Sequence, residues 1–344
     1  MLENTSRTEL ATLGEFGLIE HLVSFFENKQ TATLKGVGDD AAVLKYAEKC
    51  ILVSTDMLLE GVHFDLSFQP LKHLGYKAVA VNVSDICAMN GTAKQITVSI
   101  GISSKFSLEA VEEIYAGIKA ACDFYEIDLI GGDTCASKQG LVLSLTVIGD
   151  TDEKNIVYRS GAKEGDLLCV SGDLGGAYVG LQLLEREKKV FLENPNIQPD
   201  LEGNDYIVGR QLKPEARKDI IEIFKKINLK PTSMIDISDG LSSEIFHICS
   251  KSEVGMTIYE EKIPIDPTTS MMALEFNLDP NTTALNGGED YELLFTIDQK
   301  DYNKIKNDPD ISVIGHCVSR SEGIHIISRN ETKHALKAQG WKAF

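Results

Sequence analysis

Residues 94–102, KQITVSIGI, alternate apolar and polar side chains and therefore predict a strand with one buried face. The side chains that would share this face are those of Ile96, Val98, Ile100 and Ile102. In residues 108–125 the apolar side chains instead recur at helical spacing, and Ser107 can cap the helix that this spacing predicts. A strand followed by an amphipathic helix is typical of domains in which helices cover a sheet.

Short apolar segments and amphipathic helices continue to alternate along the rest of the chain. Further strands are predicted at residues 141–149, 166–170, 293–297 and 324–327. Further helices are predicted at residues 174–184, 215–227 and 241–248, the second with Pro214 in its first turn. The polar stretch 150–159 separates two such sets, so we expect two domains, 1–150 and 151–344. The predicted fold class is α/β or α+β, with mixed sheets covered by helices.

The composition is that of an ordinary globular protein and argues against several functional classes. Hydrophobic residues make up 43% of the 344 residues, and no apolar run reaches the length of about 18 residues that indicates a membrane span. The 52 acidic residues exceed the 34 basic ones and give a net charge of −18, which disfavours nucleic acid and anionic membranes as partners. Seven cysteines without a CxxC pair disfavour a disulfide framework and a zinc site. Together with a polar N-terminal sequence, unlike a signal peptide, this predicts a cytoplasmic protein.

The common nucleotide-binding signatures are absent from the sequence, and a series of aspartates takes their place. There is no GxxxxGK[ST] and no GxGxxG between a strand and a helix. The aspartates lie beside glycines or apolar segments, in GDD (38–40), STD (54–56), VSD (83–85), GGDT (131–134) and DISDG (236–240). We expect Asp56 and Asp85 to end strand-like runs at residues 51–53 and 78–83, and Asp133 to follow a glycine-rich turn.

Several carboxylates that meet at one place need a counter-charge, because they cannot all stay ionised without one. Divalent cations with oxygen ligands supply it, and magnesium in particular combines one or two carboxylates with phosphate oxygens. The aspartate series therefore predicts several magnesium ions that hold a polyphosphate in an acidic protein. The alternative is that each aspartate only forms a turn or caps a helix.

Four other features of the sequence can contact a charged ligand. GGEDYE (287–292) places three acids and an aromatic residue after a glycine turn, although it could simply lead into the next strand. Arg159 can bind a phosphate with two parallel hydrogen bonds, or lie at the surface. His63 and Trp341, the single tryptophan, are the remaining candidates, with packing roles as their alternatives.

The order of the motifs resembles the thiamine-monophosphate kinase family of the PurM-like ATP-binding superfamily. The resemblance extends over nearly the whole chain, and the ordered set is far more specific than any single motif. Its motifs are GVGDDAAVL (36–44), STDMLLEGVHF (54–64), AVNVSDICAMNG (80–91), LIGGDT (129–134), RSGAKEGD (159–166), IDISDGL (235–241), GGEDYELLFT (287–296) and GWKAF (340–344).

The resemblance implies a two-domain PurM-like fold, a homodimer whose N-terminal sheets join, and a kinase reaction. In that reaction ATP gives its γ-phosphoryl group directly to thiamine monophosphate, with several magnesium ions, and the products are thiamine diphosphate and ADP. The implied domain roles are metal binding, ATP binding and dimerisation for residues 1–150, and completion of the ATP and substrate sites for residues 151–344.

The resemblance also implies roles for individual residues, motif by motif. The implied metal ligands are Asp40, Ser54, Thr55, Asp56, Asp85, Asp133, Asp236 and Asp239. The implied ATP contacts are Tyr115, Gly132, Asp133, Arg159 and Ser238, and the implied substrate contacts are His63, Glu289 and Trp341. The implied catalytic residues are Asp85, Asp133 and Asp239.

Two features depart from the family pattern, and two other functions stay open at this point. The chain ends in Trp341-Lys342-Ala343-Phe344, where the family often has an aromatic residue followed by Asp-His-Phe. Residues 171–177 are also looser than usual, and we assign them no contact. One alternative is another ATP-using enzyme of the superfamily; a second is a non-catalytic module that binds metal and nucleotide.

Overall fold

The computed structural model describes residue 17, residues 31–35 and residues 38–340, and in these residues the chain forms two mixed sheets flanked by helices. The first sheet has six strands in the order β1-β2-β3-β6-β4-β5. Its strands are β1 (Thr33–Lys35), β2 (Ala42–Tyr46), β3 (Lys49–Leu59), β4 (Thr92–Ile102), β5 (Asp128–Ala136) and β6 (Val142–Asp152). Only β4 and β5 pair in parallel, and β5 forms one edge of the sheet.

The second sheet has seven strands in the order β13-β12-β9-β11-β7-β10-β8. Its strands are β7 (Leu167–Ser171), β8 (Ser233–Asp236), β9 (Gly255–Tyr259), β10 (Leu293–Ile297), β11 (Ile311–Val318), β12 (Ile324–Ile327) and β13 (Lys333–Ala335). Strand β8 lies at one edge, antiparallel to β10, with Asp236 opposite Leu293. The first sheet is thus formed by residues before 153 and the second by residues after 166, and the predicted domain limit at 150/151 falls near the end of β6.

The helices cover these sheets, and one of them joins the two halves. The helices are α1 (Leu71–Ala88), α2 (Leu108–Tyr125), α3 (Gly176–Glu193), α4 (Asp205–Leu212), α5 (Lys218–Ile227), α6 (Leu241–Ser252), α7 (Pro267–Glu275), α8 (Pro280–Asn286) and α9 (Tyr302–Ile305). Helix α1 packs against β3 and β6 of the first sheet and against β8 of the second. A Cβ at Gly75 would lie 2.0 Å from the carbonyl oxygen of Ile114, so this glycine permits the close packing of α1 on α2.

The largest of three apolar clusters in the described residues extends from the first sheet into the second half of the chain. It includes Leu52 and Val147 of the first sheet, Ile118 of α2, Phe224 of α5 and Phe295 of β10. In the part of the chain that the structure describes, no helix combines the length and apolar character needed to cross a membrane.

The structure confirms the predicted fold class and several elements. Strand β4 and helix α2 lie where the sequence predicts them, and Ser107 Oγ accepts a hydrogen bond from the N–H of Ala110. The strand predicted at residues 293–297 and the helix that begins at Leu241 are also present. Because six of the seven cysteines are buried and all seven are free, the expectation of no disulfide framework holds for the described residues.

Four local predictions are wrong. The apolar run 78–83 belongs to α1, so Asp85 lies on a buried helix and not at the end of a strand. Asp56 lies inside β3, and the predicted turn at residues 131–133 is part of β5. The helix predicted from residue 215 begins only at Lys218. Runs of Val and Ala that are buried on every side fit a helix as well as a strand, which explains the first of these errors.

Candidate active site

A cleft of about 1190 Å³ lies between the two halves of the chain. Residues from β3, α1 and the end of β8 form one end, and residues 61–69, α3 and the glycine turn 287–289 form the other. Ten of the residues predicted from the sequence line it: Asp40, Ser54, Asp56, His63, Asp85, Arg159, Asp236, Ser238, Asp239 and Glu289.

Three aspartates from distant parts of the sequence meet at one end of the cleft. Asp40 precedes β2, Asp85 lies on α1, and Asp236 is the last residue of β8. One carboxylate oxygen of each lies within 4.8 Å of the others, close enough to share a metal ion. The meeting depends on α1, because this helix contacts both the first sheet and β8.

Serine hydroxyls orient two of these carboxylates. Ser54 Oγ on β3 donates a hydrogen bond of 2.5 Å to Asp85, and Ser84 Oγ on α1 donates one of 2.6 Å to Asp236. The backbone N–H of Asp56 donates to Asn82 Oδ1, which ties β3 to the same helix. The carboxylates are therefore held by the folded chain before any ligand binds.

Burial raises the pKa of three acids at this end of the cleft. Burial is the main cause in each case: it raises the pKa of Asp56 to about 6 and that of Asp236 to about 8. The pKa of Asp85 lies well above its usual value, first through burial and then through the charges of Asp56, Asp236 and Asp40. Oxygen ligands that lack sufficient counter-charge suit a hard divalent cation, so this donor set fits magnesium.

Arg159 adjoins this group of carboxylates, and Asp40 already binds it. Its Nε and Nη2 donate to the two oxygens of Asp40 at 2.9 and 3.0 Å, and its backbone N–H donates to Asp39. Burial opposes the charge of Arg159, but the adjacent Asp40 carboxylate more than compensates, and the pKa rises. One arginine thus neutralises one of the three aspartates, while its side chain still lines the cleft.

Glu289 and His63 lie toward the other end of the cleft. The Glu289 carboxylate forms an ion pair with Lys77 Nζ at 2.8 Å and accepts a hydrogen bond from Gln211 Nε2 at 2.9 Å. His63 Nδ1 accepts a hydrogen bond from the N–H of Leu59, so the neutral ring carries its proton on Nε2. Burial lowers the pKa of His63, which favours this neutral form near pH 7.

The loops that carry Ser238 and Glu289 are joined through their backbones. The N–H of Glu289 donates to the carbonyl oxygen of Ser238 at 2.7 Å. Gly288 has a φ of +73°, and a Cβ there would lie 2.6 Å from the same oxygen, so the turn requires glycine. Glu244 of α6 accepts hydrogen bonds from the N–H groups of Ser238 and Asp239 at 3.0 and 2.9 Å.

The other two acids of the GGEDYE segment face the protein and not the cleft. Asp290 accepts a hydrogen bond of 2.9 Å from the N–H of Gly175. Glu292 is 2% exposed and forms ion pairs with Arg210 and Arg217 at 2.8 and 2.5 Å. Of the three acids, only Glu289 lines the cleft, and its neighbours hold the segment in place.

The remaining predicted residues lie outside the cleft of this chain or outside the described residues. Thr55 lies on the opposite face of β3 from Ser54 and Asp56, and its Oγ1 donates to the carbonyl oxygen of Leu145. Gly132 and Asp133 are exposed on the edge strand β5, and Tyr115 of α2 packs against the core. Trp341 belongs to residues 341–344, which are not described. The roles assigned to these residues stay predictions.

Sequence reasoning missed several residues that line or support the cleft. Lys77 is 1% exposed in α1, and its signal was a lone lysine in the apolar segment 74–83. Gln211 and Tyr178 carry no recognisable motif, and only the packing of α3 and α4 brings them to the cleft.

Comparison with known proteins gives the family. Residues 38–151 match the model of the AIR synthase related protein, N-terminal domain. The thiamine-monophosphate kinase of Aquifex aeolicus is 35% identical over 335 residues, which cover 97% of this chain and 99% of that protein. The thiamine-monophosphate kinase of Bacillus subtilis is 33% identical over 344 residues, covering 96% and 100%. The chain belongs to the thiamine-monophosphate kinase family.

The fold agrees with this membership of the thiamine-monophosphate kinase family. A solved structure described as AaThiL complexed with AMPPCP and TMP superposes with a TM-score of 0.84 at 33% identity, covering 99% of this chain and 100% of that one. The predicted family, its PurM-like fold and its phosphotransferase class are thereby confirmed. The domain limits and the roles of single residues are not tested by these comparisons.

Proposed function

We propose that the cleft carries out the magnesium-dependent transfer of the γ-phosphoryl group of ATP directly to thiamine monophosphate, giving thiamine diphosphate and ADP. The observation that carries this proposal is the convergence of Asp40, Asp85 and Asp236 beside Arg159 in the cleft that also holds Glu289. The reaction must bring two phosphate anions together, and phosphoryl transfer depends on positioning and charge neutralisation more than on covalent chemistry.

The aspartates of the cleft have two proposed roles, in metal binding and in catalysis. Asp40, Asp85 and Asp236 would hold magnesium, with Ser54, Asp56 and Asp239 as further oxygen donors in the same cleft. A magnesium ion held by these residues would supply the positive charge that two adjacent phosphate groups need. Ser54 and Ser84 keep the carboxylates in place, and Asp85 and Asp239 are the aspartates of this cleft that we assign to catalysis.

The other residues select and orient the two substrates. Arg159 and Ser238 line the cleft and would contact the nucleotide, and the guanidinium suits a phosphate oxygen. The Nε2–H of His63 is a hydrogen-bond donor, and the Glu289 carboxylate is an acceptor and a contact for the thiazolium cation. Trp341 stays a predicted stacking partner.

We also propose a homodimer joined through the edge strand β5. This strand is exposed along its length and carries Leu129 and Ile130, which are 45% and 56% exposed. Exposed edge strands readily pair with another chain. A dimer at this edge would place Asp133 at the interface, where the second copy completes the site; mixing inactive Asp133→Asn and Asp85→Asn subunits should then restore activity in the mixed dimers.

The direct test is incubation of the protein with magnesium, ATP and thiamine monophosphate, followed by chromatography. We expect thiamine diphosphate and ADP in equal amounts, and no thiamine diphosphate with the Asp85→Asn variant. Binding of both ligands without product would favour the non-catalytic module.

A chirally labelled γ-phosphoryl group should be inverted once, because transfer is direct; retention of configuration would indicate an enzyme-bound intermediate. Fractionation of the source cells tests the predicted cytoplasmic location.

A further inference from the structure

Lys77 is a buried lysine whose role the proposed reaction does not explain. Its side chain is 1% exposed, in the middle of α1, and a fully buried ammonium is costly unless it is paired. Its ion-pair partner is Glu289, whose carboxylate it contacts at 2.8 Å, and its Nζ also lies 3.5 Å from the carbonyl oxygen of Gln211. The Glu289 side chain is 29% exposed and lines the cleft.

Gln211 completes the set of contacts on the same carboxylate. Its Nε2 donates to Glu289 Oε2, while Lys77 occupies Oε1, so each carboxylate oxygen has a donor from the protein. The Gln211 side chain cannot present its oxygen to Glu289 without repulsion, which fixes the amide orientation. Glu289 itself has a φ of +57°, in the left-handed region of backbone conformation that residues other than glycine seldom adopt. Its position is therefore determined by both its side chain and its backbone.

The carboxylates at the two ends of the cleft differ in the amount of positive charge that lies beside them. At the aspartate end, three carboxylates share one arginine, and the donor set suits magnesium. At the Glu289 end, one carboxylate meets one buried lysine, so this pair has no net charge. Because the ion pair is neutral, it attracts a divalent cation far less than a free carboxylate does. The carboxylate oxygens of Glu289 can nevertheless still accept hydrogen bonds from a ligand.

We infer that Lys77 is a positioning residue with two effects: it holds the Glu289 carboxylate ready for the organic cation of the acceptor substrate, and it keeps divalent cations away from that carboxylate. Lys77 would then direct divalent metal ions to the aspartates and the organic cation to Glu289. This inference rests on the proposed function for the identity of the acceptor, whereas the exclusion of metal does not depend on it.

The test uses the full-length protein with three variants. Lys77→Met removes the charge at nearly constant length, and Lys77→Met/Glu289→Gln also removes the carboxylate that it leaves unpaired. Lys213→Met is the matched control, because this lysine lies over the ring of the α1 residue Tyr76 without contacting Glu289. The two measurements are the KM values for thiamine monophosphate and ATP, and the number of bound Mn²⁺ ions counted by electron paramagnetic resonance.

For Lys77→Met we expect the KM for thiamine monophosphate to rise about tenfold, the effect of one charge-assisted hydrogen bond, and the KM for ATP to change less than about twofold. We also expect one additional Mn²⁺ ion, which the double variant loses again. Lys213→Met should match the parent in both measurements. A purely structural lysine would shift both KM values together and add no ion.

An unchanged Mn²⁺ count together with an unchanged KM for thiamine monophosphate in a folded Lys77→Met protein would overturn the inference. If that variant does not fold, Lys77→Gln serves instead, because glutamine keeps a hydrogen-bond donor for Glu289 but carries no charge. This variant should also bind one additional Mn²⁺ ion. If it binds only as many Mn²⁺ ions as the parent protein, the proposed role of Lys77 is refuted. If the parent protein does not phosphorylate thiamine monophosphate, the proposed function fails, and the Mn²⁺ count still decides whether Lys77 excludes metal.

Discussion

The Asp85→Asn substitution should change stability and turnover in opposite directions. Asp85 lies among Asp40, Asp56 and Asp236, and the adjacent Arg159 is paired with Asp40. Asparagine keeps the shape of the side chain, and its oxygen can still accept the hydrogen bond from Ser54 Oγ. The folded site disfavours the ionised form of Asp85, and the substitution removes this ionisable group and little else.

The size of the effect follows from the spacing of the carboxylates. Two unit charges 4.8 Å apart, the upper limit within this group, repel by roughly 3.5 kcal/mol at an effective dielectric constant of about 20. Proton uptake by Asp236, whose pKa is about 8, relieves part of this repulsion near neutral pH. We therefore expect the metal-free variant to gain about 1–3 kcal/mol of unfolding free energy, with roughly 2–4 °C in Tm for each kcal/mol. Turnover should fall by about 10²-fold or more, because the substitution removes a proposed ligand of the magnesium that would neutralise the transferring phosphate.

The assay compares thermal and urea unfolding at pH 8 in excess chelator with steady-state turnover in magnesium. Asp150→Asn is the control: this carboxylate pairs with Lys49 at 2.8 Å, away from the cleft. Its stability should stay within about 0.5 kcal/mol of the parent, with unchanged turnover. A metal-free Asp85→Asn protein that is less stable than the parent, or one that keeps near-normal turnover, would refute the reasoning.

Three further predictions follow from the same site. The pKa values of about 6 for Asp56 and about 8 for Asp236 exceed the unfolded value of about 3.9, so the folded chain binds more protons and the metal-free protein should lose stability as the pH rises from about 4 to 8. Unfolding midpoints across this range check the sign, and a rise with pH in chelator would contradict it. Excess chelator should abolish both turnover and tight ATP binding, and calorimetry that finds undiminished nucleotide affinity would exclude a metal-dependent ATP site. Trp341→Ala should raise the KM for thiamine monophosphate by about 2- to 30-fold through loss of a cation–π contact, with little change in the KM for ATP. The fluorescence of this single tryptophan in the parent protein should change when thiamine monophosphate is added and should not change with ATP.

The sequence predicts the parts of the site that rest on local patterns. Strand β4 and helix α2 follow from periodicity alone, and the sequence places Asp236 beside an apolar segment, which the structure shows as β8. The ordered motifs identify the family and, by resemblance, ten residues of the cleft. Both kinds of prediction work because the relevant information lies within a few neighbouring residues.

The elements that depend on tertiary packing could not be predicted in the same way. Fourteen of the 18 residues of α1 are buried, so its sequence shows no polar face to reveal a helix. The pairing of Lys77 with Glu289 joins residues more than 200 positions apart, and no local pattern reports it. Asp133 shows a different limit, because a residue on an exposed edge strand can be understood only in the assembly.

Helix α1 carries functional side chains toward both ends of the cleft, and this sets a length for the molecules that can react there. Lys77 and Asp85 are eight positions apart, or about 12 Å along the helix axis. The helix packs against both sheets and cannot shorten or extend, so the separation between the Glu289 contact and the aspartates is constant. If the acceptor binds with its cationic ring at Glu289, as proposed, an analogue with a shorter arm between ring and phosphate should bind there and act as an inhibitor, because its phosphate would not reach the aspartates.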